Sequence, residues 1–336
     1  MNASMTFGSS APSLGAPSSG GSRPVRSQRE VFGETLAEMA HERDDIVVLD
    51  GDLANSTRAD IVAERAPHAF IEAGIAEQNL FGVAAGLATM GLTPYISTFA
   101  CFAVARALDQ IRVTIAQPHL GVKFMGGYSG ILTGSTGKTH QMVDDLAIMR
   151  AMPGMTVLAP ADDIEAEAML RAAADLAGPV YLRLARDPVR RVFDRAIWPG
   201  TGPRVIRTGD GRIRLVSTGT QTSRTLEAAE LLAADGLSVD LVHVPVLKPL
   251  DGEALLAALA GAELVVTVEE HTIIGGLGGA VAEILAEQAG GPRLRRIGLQ
   301  DVFGESGPNA ALLDHFGLSA TRVAAQVRTW VAELLP

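Results

Sequence analysis

From Arg29 onward, short β-branched runs alternate with longer segments of helical composition. The runs predict strands at Ile46–Asp50, Ala69–Ala73, Thr93–Phe99, Gly121–Met125, Met155–Ala159 and Val180–Leu184. The segments between them predict helices at Glu77–Met90, Phe102–Ala116, Val143–Met152 and Asp162–Ala177. The texture changes at Asp187–Pro203, which is rich in Pro, Arg and Gly, and then the alternation restarts. Further strands are expected at Ile213–Thr218, Ser238–Val244, Glu263–Glu269 and Leu294–Gly298. Helices Thr222–Ala234, Gly252–Ala260, Gly278–Gln288 and Arg322–Leu335 follow them in turn. Strands alternating with helices predict an α/β chain of two doubly wound domains with mostly parallel sheets. Several strands are continuous apolar runs, as befits strands covered on both faces. The expected division is a tail at 1–28, a first domain at 29–188, a linker at 189–211 and a smaller second domain at 212–336. No short-period repeat is present, which excludes a solenoid.

Composition narrows the possible roles. Apolar residues make up 47% of the 336 and the net charge is −10 with scattered basic residues, so no nucleic-acid partner is expected. No apolar run reaches the roughly 18–20 residues that cross a bilayer. The single Cys101 excludes an internal disulfide and any multi-cysteine metal site, in keeping with a cytoplasmic protein. Eight Ser, four Gly and three Pro among the first 27 residues predict a disordered tail, with a transit peptide as the weaker reading.

Several stretches imitate motifs without meeting their spacing. Gly137-Lys138-Thr139 would end a phosphate-binding loop if position 132 were Gly, but it is Leu132. Gly275, Gly276, Gly278 and Gly279 open a helix after a strand, yet Val281 stands where the dinucleotide fingerprint needs Gly. Close strand–helix packing accounts for these glycines as well. The seven histidines include no H-x-x-x-H pair, and the Glu269-Glu270-His271 cluster suits capping or subunit contact better than a metal. Arg186, at a strand end before Asp187-Pro188, suits phosphate or a neighbouring carboxylate. Phe99 and Phe102 sit where a strand enters a helix, suited either to the core or to a ligand at the end of a parallel sheet.

Glu77 is the outlier. It lies in E-A-G-I-A-E-Q-N-L-F (72–81), where a strand hands over to a helix of Ala, Gly and Leu. A carboxylate among such neighbours needs a cap role, an ion-pair partner or a ligand.

Four stretches stand in one order: G-I-A-E-Q-N (74–79), T-F-A-C-F (98–102), G-K-T-H-Q-M-V-D-D-L-A-I-M-R (137–150) and P-G-M-T-V-L-A-P-A-D (153–162). Together they resemble the C-terminal half of a transketolase, the pyrimidine-binding domain followed by the transketolase C-terminal domain, over about residues 29–336. The resemblance implies thiamine diphosphate as cofactor and transfer of a two-carbon ketol unit from a ketose to an aldose or another aldehyde. It makes Glu77 the carboxyl that shares a proton with N1′ of the aminopyrimidine, and Phe99 and Phe102 the rings packed on that pyrimidine. It puts Asp52 near the cofactor, Ser56 at the sugar entrance, His140 on the substrate and Arg186 on its phosphate. Tyr128 and Thr136 occupy substrate-side positions where the family has His and Asp, and Ala105 replaces a third aromatic. These departures bear on the usual pentose phosphates, because discrimination rests on hydrogen bonds to hydroxyls.

The family holds Mg²⁺ and the diphosphate on G-D-G followed by Asn some 25–30 residues on. Here G-D-G falls at Gly209–Gly211 with no Asn until Asn309, and Asp50-Gly51-Asp52 lacks the leading Gly. The resemblance therefore implies a separate N-terminal, diphosphate-binding subunit that holds Mg²⁺, in a heterotetramer with two copies of each chain. Two other readings are the beta subunit of a 2-oxoacid dehydrogenase, which shares G-I-A-E-Q, and a non-catalytic regulatory or scaffold subunit.

Overall fold

The continuous apolar runs do form strands without solvent on either face: all five residues of β1 (Ile46–Asp50) are buried. A computed structural model describes residues 25–195, 198 and 200–335. The first half contributes β2 (Phe70–Glu72), β3 (Thr93–Phe99), β4 (Lys123–Gly127), β5 (Thr156–Leu158) and β6 (Val180–Leu184). The second contributes β7 (Arg204–Arg207), β8 (Ile213–Ser217), β9 (Asp240–His243), β10 (Val246–Lys248), β11 (Leu264–Thr272) and β12 (Arg293–Leu299). The sheets run β10-β5-β6-β4-β3-β1-β2 and β12-β11-β8-β9-β7. All pairings are parallel except those of the edge strands β10 and β7. This is the expected α/β class.

Two edge strands depart from the sequence reading. β10 lies beyond the expected domain division but pairs with β5, so the second half of the chain completes the first sheet. β7 forms inside the stretch expected as a linker and pairs antiparallel with β9. Of the expected tail, residues 1–24 lie outside the described residues. Its last residues begin the helix Gln28–Glu42, whose first turn is closed by a reciprocal Ser27–Glu30 cap worth about 1 kcal/mol. Arg26 beside it pairs with Glu34 and Glu167, each at 2.8 Å.

The expected helix Phe102–Ala116 becomes two wide turns, Cys101–Arg106 and Ile111–Ala116, with a helical turn Leu108–Gln110 between them. Such widened turns recur at functional sites because they re-aim side chains. Here Ala103 and Val104 stay in the core while Phe102 and Arg106 look outward.

One apolar cluster runs from Leu49, Phe81, Ile96 and Phe124 through Met155 and Leu247 to Val216, Val242 and Val265, joining the two sheets. The far face of the first sheet packs under Phe32, Leu36, Met169 and Leu170. A third cluster fills the far face of the second sheet. Glu269 caps the helix Leu277–Ala286, accepting N–H bonds from Leu277 (2.7 Å) and Gly278 (2.8 Å). A Cβ at Gly276 would lie 2.1 Å from that carboxylate, so the glycines there serve close packing. No helix among the described residues is long and apolar enough to cross a membrane.

Candidate functional site

The parallel strands β1, β2, β3, β4 and β6 end on the same edge of the first sheet, where open α/β sheets receive ligands. Glu77 opens the helix Glu77–Thr89 just past β2, and Ala76, not Glu77, is the cap residue. Its side chain is 2% exposed. Both carboxylate oxygens accept from Arg106 Nη1 at 2.8 Å. Arg106 is 47% exposed, so a buried anion is held by a cation on the rim. Its guanidinium carbon lies 4.4 Å from the Phe102 ring centroid. The sequence reading missed Arg106, although its spacing of four from Phe102 was the available signal.

β3 ends in Phe99, and the wide turn after it presents Phe102. Their rings stack with centroids 5.6 Å apart. His140 meets Phe102 edge-on at 5.5 Å and Phe99 at 6.2 Å. On the other side Phe99 stacks on Tyr128 at 4.0 Å. Phe99 and Tyr128 are buried, while Phe102 and His140 are half-buried and leave the cluster open on one side. Tyr128 adopts φ +57°, a left-handed conformation that costs a non-glycine residue energy and turns its ring into the site.

Behind Tyr128 lies a cationic wall. Arg29 Nη1 donates to Ser56 O (2.8 Å) and to Tyr128 Oη (3.1 Å), and Tyr128 Oη donates to Ser56 O (3.2 Å). The Arg29 and Arg186 guanidinium carbons stand 5.9 and 5.5 Å from the Tyr128 ring centroid. In both arginines Nε is buried with no hydrogen-bond partner among the described residues. Nothing local singled out Arg29, which lies 99 residues from Tyr128 in sequence.

Glu77, Phe99, Phe102, His140, Tyr128, Ser56 and Arg186 thus share one edge. Asp52 and Thr136 make no hydrogen bond to this group among the described residues. Asp52 is exposed with φ +63°, and its N–H donates to Glu72 Oε1 at 3.0 Å. Thr136 Oγ1 turns back to Thr133 O at 2.7 Å. His140 Nδ1 lies 2.9 Å from Thr139 Oγ1.

The loop carrying Asp52 and Ser56 rests on Asp50, whose Oδ1 accepts the Leu53 N–H at 2.6 Å. Burial pushes the Asp50 carboxyl up from 3.8 to about 6. The folded state therefore holds the proton more tightly than the unfolded chain. This contribution is complete below pH 4 and is lost as pH rises through 6. Asp50→Asn should gain about 3 kcal/mol on the wild-type protein between pH 4 and pH 7, read from denaturant midpoints.

Residues 26–191 match the family "Transketolase, pyrimidine binding domain" and residues 203–323 match "Transketolase, C-terminal domain". A 6-deoxy-6-sulfo-D-fructose transketolase subunit from Clostridium sp. is 38% identical, over 88% of this chain and 91% of that protein. A 1-deoxy-D-xylulose-5-phosphate synthase of Chlorobium luteolum is also 38% identical, over 96% of this chain but 50% of its own length. A solved structure described as a split gene transketolase in an inactive beta4 tetramer is 44% identical, with TM-score 0.83, covering 90% of this chain and 97% of that one.

Proposed function

The chain belongs to the transketolase family, as its pyrimidine-binding domain followed by its C-terminal domain, and from this premise we propose that it is the C-terminal subunit of a split transketolase. With a separate N-terminal subunit it transfers a two-carbon ketol unit from a ketose donor to an aldehyde acceptor. The carrying observation is Glu77: a buried carboxylate whose partner is a half-exposed arginine, beside an aromatic cluster open on one side.

That constellation fits thiamine diphosphate. Arg106 can leave Glu77 without opening the core, which gives the carboxylate a face for a pyrimidine nitrogen. Thiamine diphosphate, when bound, supplies the nucleophilic carbon that accepts the ketol unit. Glu77 holds and releases a proton at its carboxylate oxygens. Phe99 and Phe102 would pack on the pyrimidine and exclude water, and Asp52 borders the entrance. His140, with Nδ1 engaged by Thr139, offers Nε2 to a substrate oxygen. Tyr128 and Thr136 line the substrate side. Ser56, Arg186 and the newly identified Arg29 receive its anionic end, the two guanidiniums bringing fixed donors to a phosphate.

A partner that carries Mg²⁺ and the diphosphate is consistent with the use made of both acid–glycine segments. Gly209 and Gly211 donate their N–H groups to Asp240, and Asp50 is taken up by its own loop. The inactive state of the beta4 relative also supports dependence on a partner. The proposed assembly has two copies of each chain.

The test is reconstitution. The lone chain should show negligible ketol transfer, and activity should require the N-terminal subunit, thiamine diphosphate and Mg²⁺ together. Full activity of the lone chain would overturn the proposal. Formation of 1-deoxy-D-xylulose 5-phosphate, or acyl transfer to lipoamide, would reassign the reaction. Failure of the complex to bind thiamine diphosphate would point to a scaffold.

A further inference from the structure

The loop Ser129–Gln141 carries Thr136 and His140 but has little structure of its own. It holds one bridge between Gly130 and Met142, a turn closed by the Thr136 N–H on Thr133 O, and a three-residue turn at Gly137–Thr139. What fixes it comes from the second domain. Ile131 and Leu132 are buried in that domain's apolar cluster with Leu312. The Ile131 N–H donates to Glu270 Oε1 at 2.9 Å, and the Gly307 N–H donates to Gly134 O at 2.9 Å. A Cβ on Gly134 would fall 2.2 Å from Gly307 O, so the two backbones can approach this closely only with glycine there.

Asn309 is the joint of this contact. Its Oδ1 accepts the Gly134 N–H at 2.9 Å, and its Nδ2 donates to Leu132 O at 3.0 Å. Nδ2 also donates to Asp187 Oδ2. The other oxygen of Asp187 lies 3.6 Å from Arg186 Nη1. A donor N–H on one side and two acceptors on the other fix the orientation of the amide. One side chain thus ties the loop bearing Thr136 and His140 to the carboxylate beside Arg186.

We propose that Asn309 is a positioning residue of the substrate site, through which the second domain aims Arg186, by way of Asp187, at the anionic end of the substrate. This rests on the function proposed above. Freed from Asn309, Asp187 loses its fixed orientation, and Arg186 keeps its place over the Tyr128 ring but loses the set carboxylate 3.6 Å from its Nη1. Binding of a phosphate should suffer, while the chemistry at the ketol carbon should not.

The experiment uses the reconstituted complex with D-fructose 6-phosphate and D-fructose as donors. Asn309→Ala should raise KM for the phosphorylated donor about tenfold, the loss of a hydrogen bond to a charged group, with kcat and the KM for fructose within about threefold of wild type. Asn309→Asp keeps an acceptor for Gly134 but sets a carboxylate against Asp187, so its KM effect should be at least as large. In the chain alone, amide exchange at Gly134 should quicken about tenfold in Asn309→Ala and stay near wild type in Asn309→Asp. Equal losses for both donors, or unchanged KM in both variants, would overturn the proposal. If the wild-type complex transfers no ketol unit, the functional reading falls. The affinity of the complex for inorganic phosphate, weakened about tenfold or not in Asn309→Ala, then decides the role of Asn309.

Discussion

Replacing Glu77 by alanine in the reconstituted complex should lower ketol transfer about a thousandfold, within the range supplied by a positioned proton-transfer group. The fold should tolerate the change. Among the described residues the only ion-pair partner of Glu77 is Arg106, which stands 47% exposed on the rim and keeps its contact with the Phe102 ring. Loss of a negative charge at a helix N-terminus costs about 0.3–1 kcal/mol, far less than a domain's stability. Assembly with the partner subunit and thermal midpoint should therefore stay near wild type while turnover disappears. Glu77→Gln keeps the shape but cannot exchange a proton, so it should lose nearly as much. Arg106→Ala separates the two roles of the pair. If Glu77 acts through its proton, this variant should lose less than about tenfold. An active Glu77→Ala complex, or an Arg106→Ala loss equal to that of Glu77→Ala, contradicts the assignment.

The strands that the sequence made legible were those whose burial is local in cause. Ile46–Asp50, Thr93–Phe99 and Val180–Leu184 form with the bounds read from their continuous apolar runs. β10 was invisible because Val246–Lys248 is three residues between prolines, held by antiparallel pairing with a strand about 90 positions earlier. β7 was hidden in a Pro- and Arg-rich stretch for the same reason: its partner β9, not its composition, makes it a strand. The site divides likewise. Glu77, Phe99, Phe102 and His140 sit in ordered motifs and were readable from them. Arg106 was within reach through its spacing from Phe102. Arg29 and Asn309 lie 99 and 175 residues from the groups they hold, and only the folded chain brings them there. The wide turn at Cys101–Arg106 escaped because its Ala-rich composition suits an ordinary helix equally well.

Arg183→Met should destabilise the protein by about 3–5 kcal/mol at neutral pH, because it strands a buried carboxylate. Arg183 on β6 is 6% exposed and its partner Asp145 is fully buried. Nε and Nη2 donate to the two oxygens of Asp145 at 2.8 and 3.2 Å, and Nη2 also donates to Glu270 O at 2.9 Å. The Tyr181 hydroxyl donates to Asp145 as well, at 2.7 Å. Burial opposes ionisation of Asp145, but the attraction of Arg183 outweighs it, and the carboxyl titrates below its ordinary value. In the wild-type protein this stability is present above pH 4 and is lost only as acid protonates Asp145. In Arg183→Met the Tyr181 hydroxyl and the nearby His271 still favour the carboxylate, but burial, the largest influence, should hold the carboxyl above its ordinary value. The deficit should then be small near pH 4 and grow as pH rises towards 7. Adding Asp145→Asn removes the stranded charge and leaves an acceptor for Tyr181, so the double variant should recover part of the loss and show no such pH dependence. Denaturant midpoints at pH 4, 5.5 and 7 read all of this. A deficit independent of pH, or a double variant no better than the single, would mean that the bond to Glu270 O carries the stability instead.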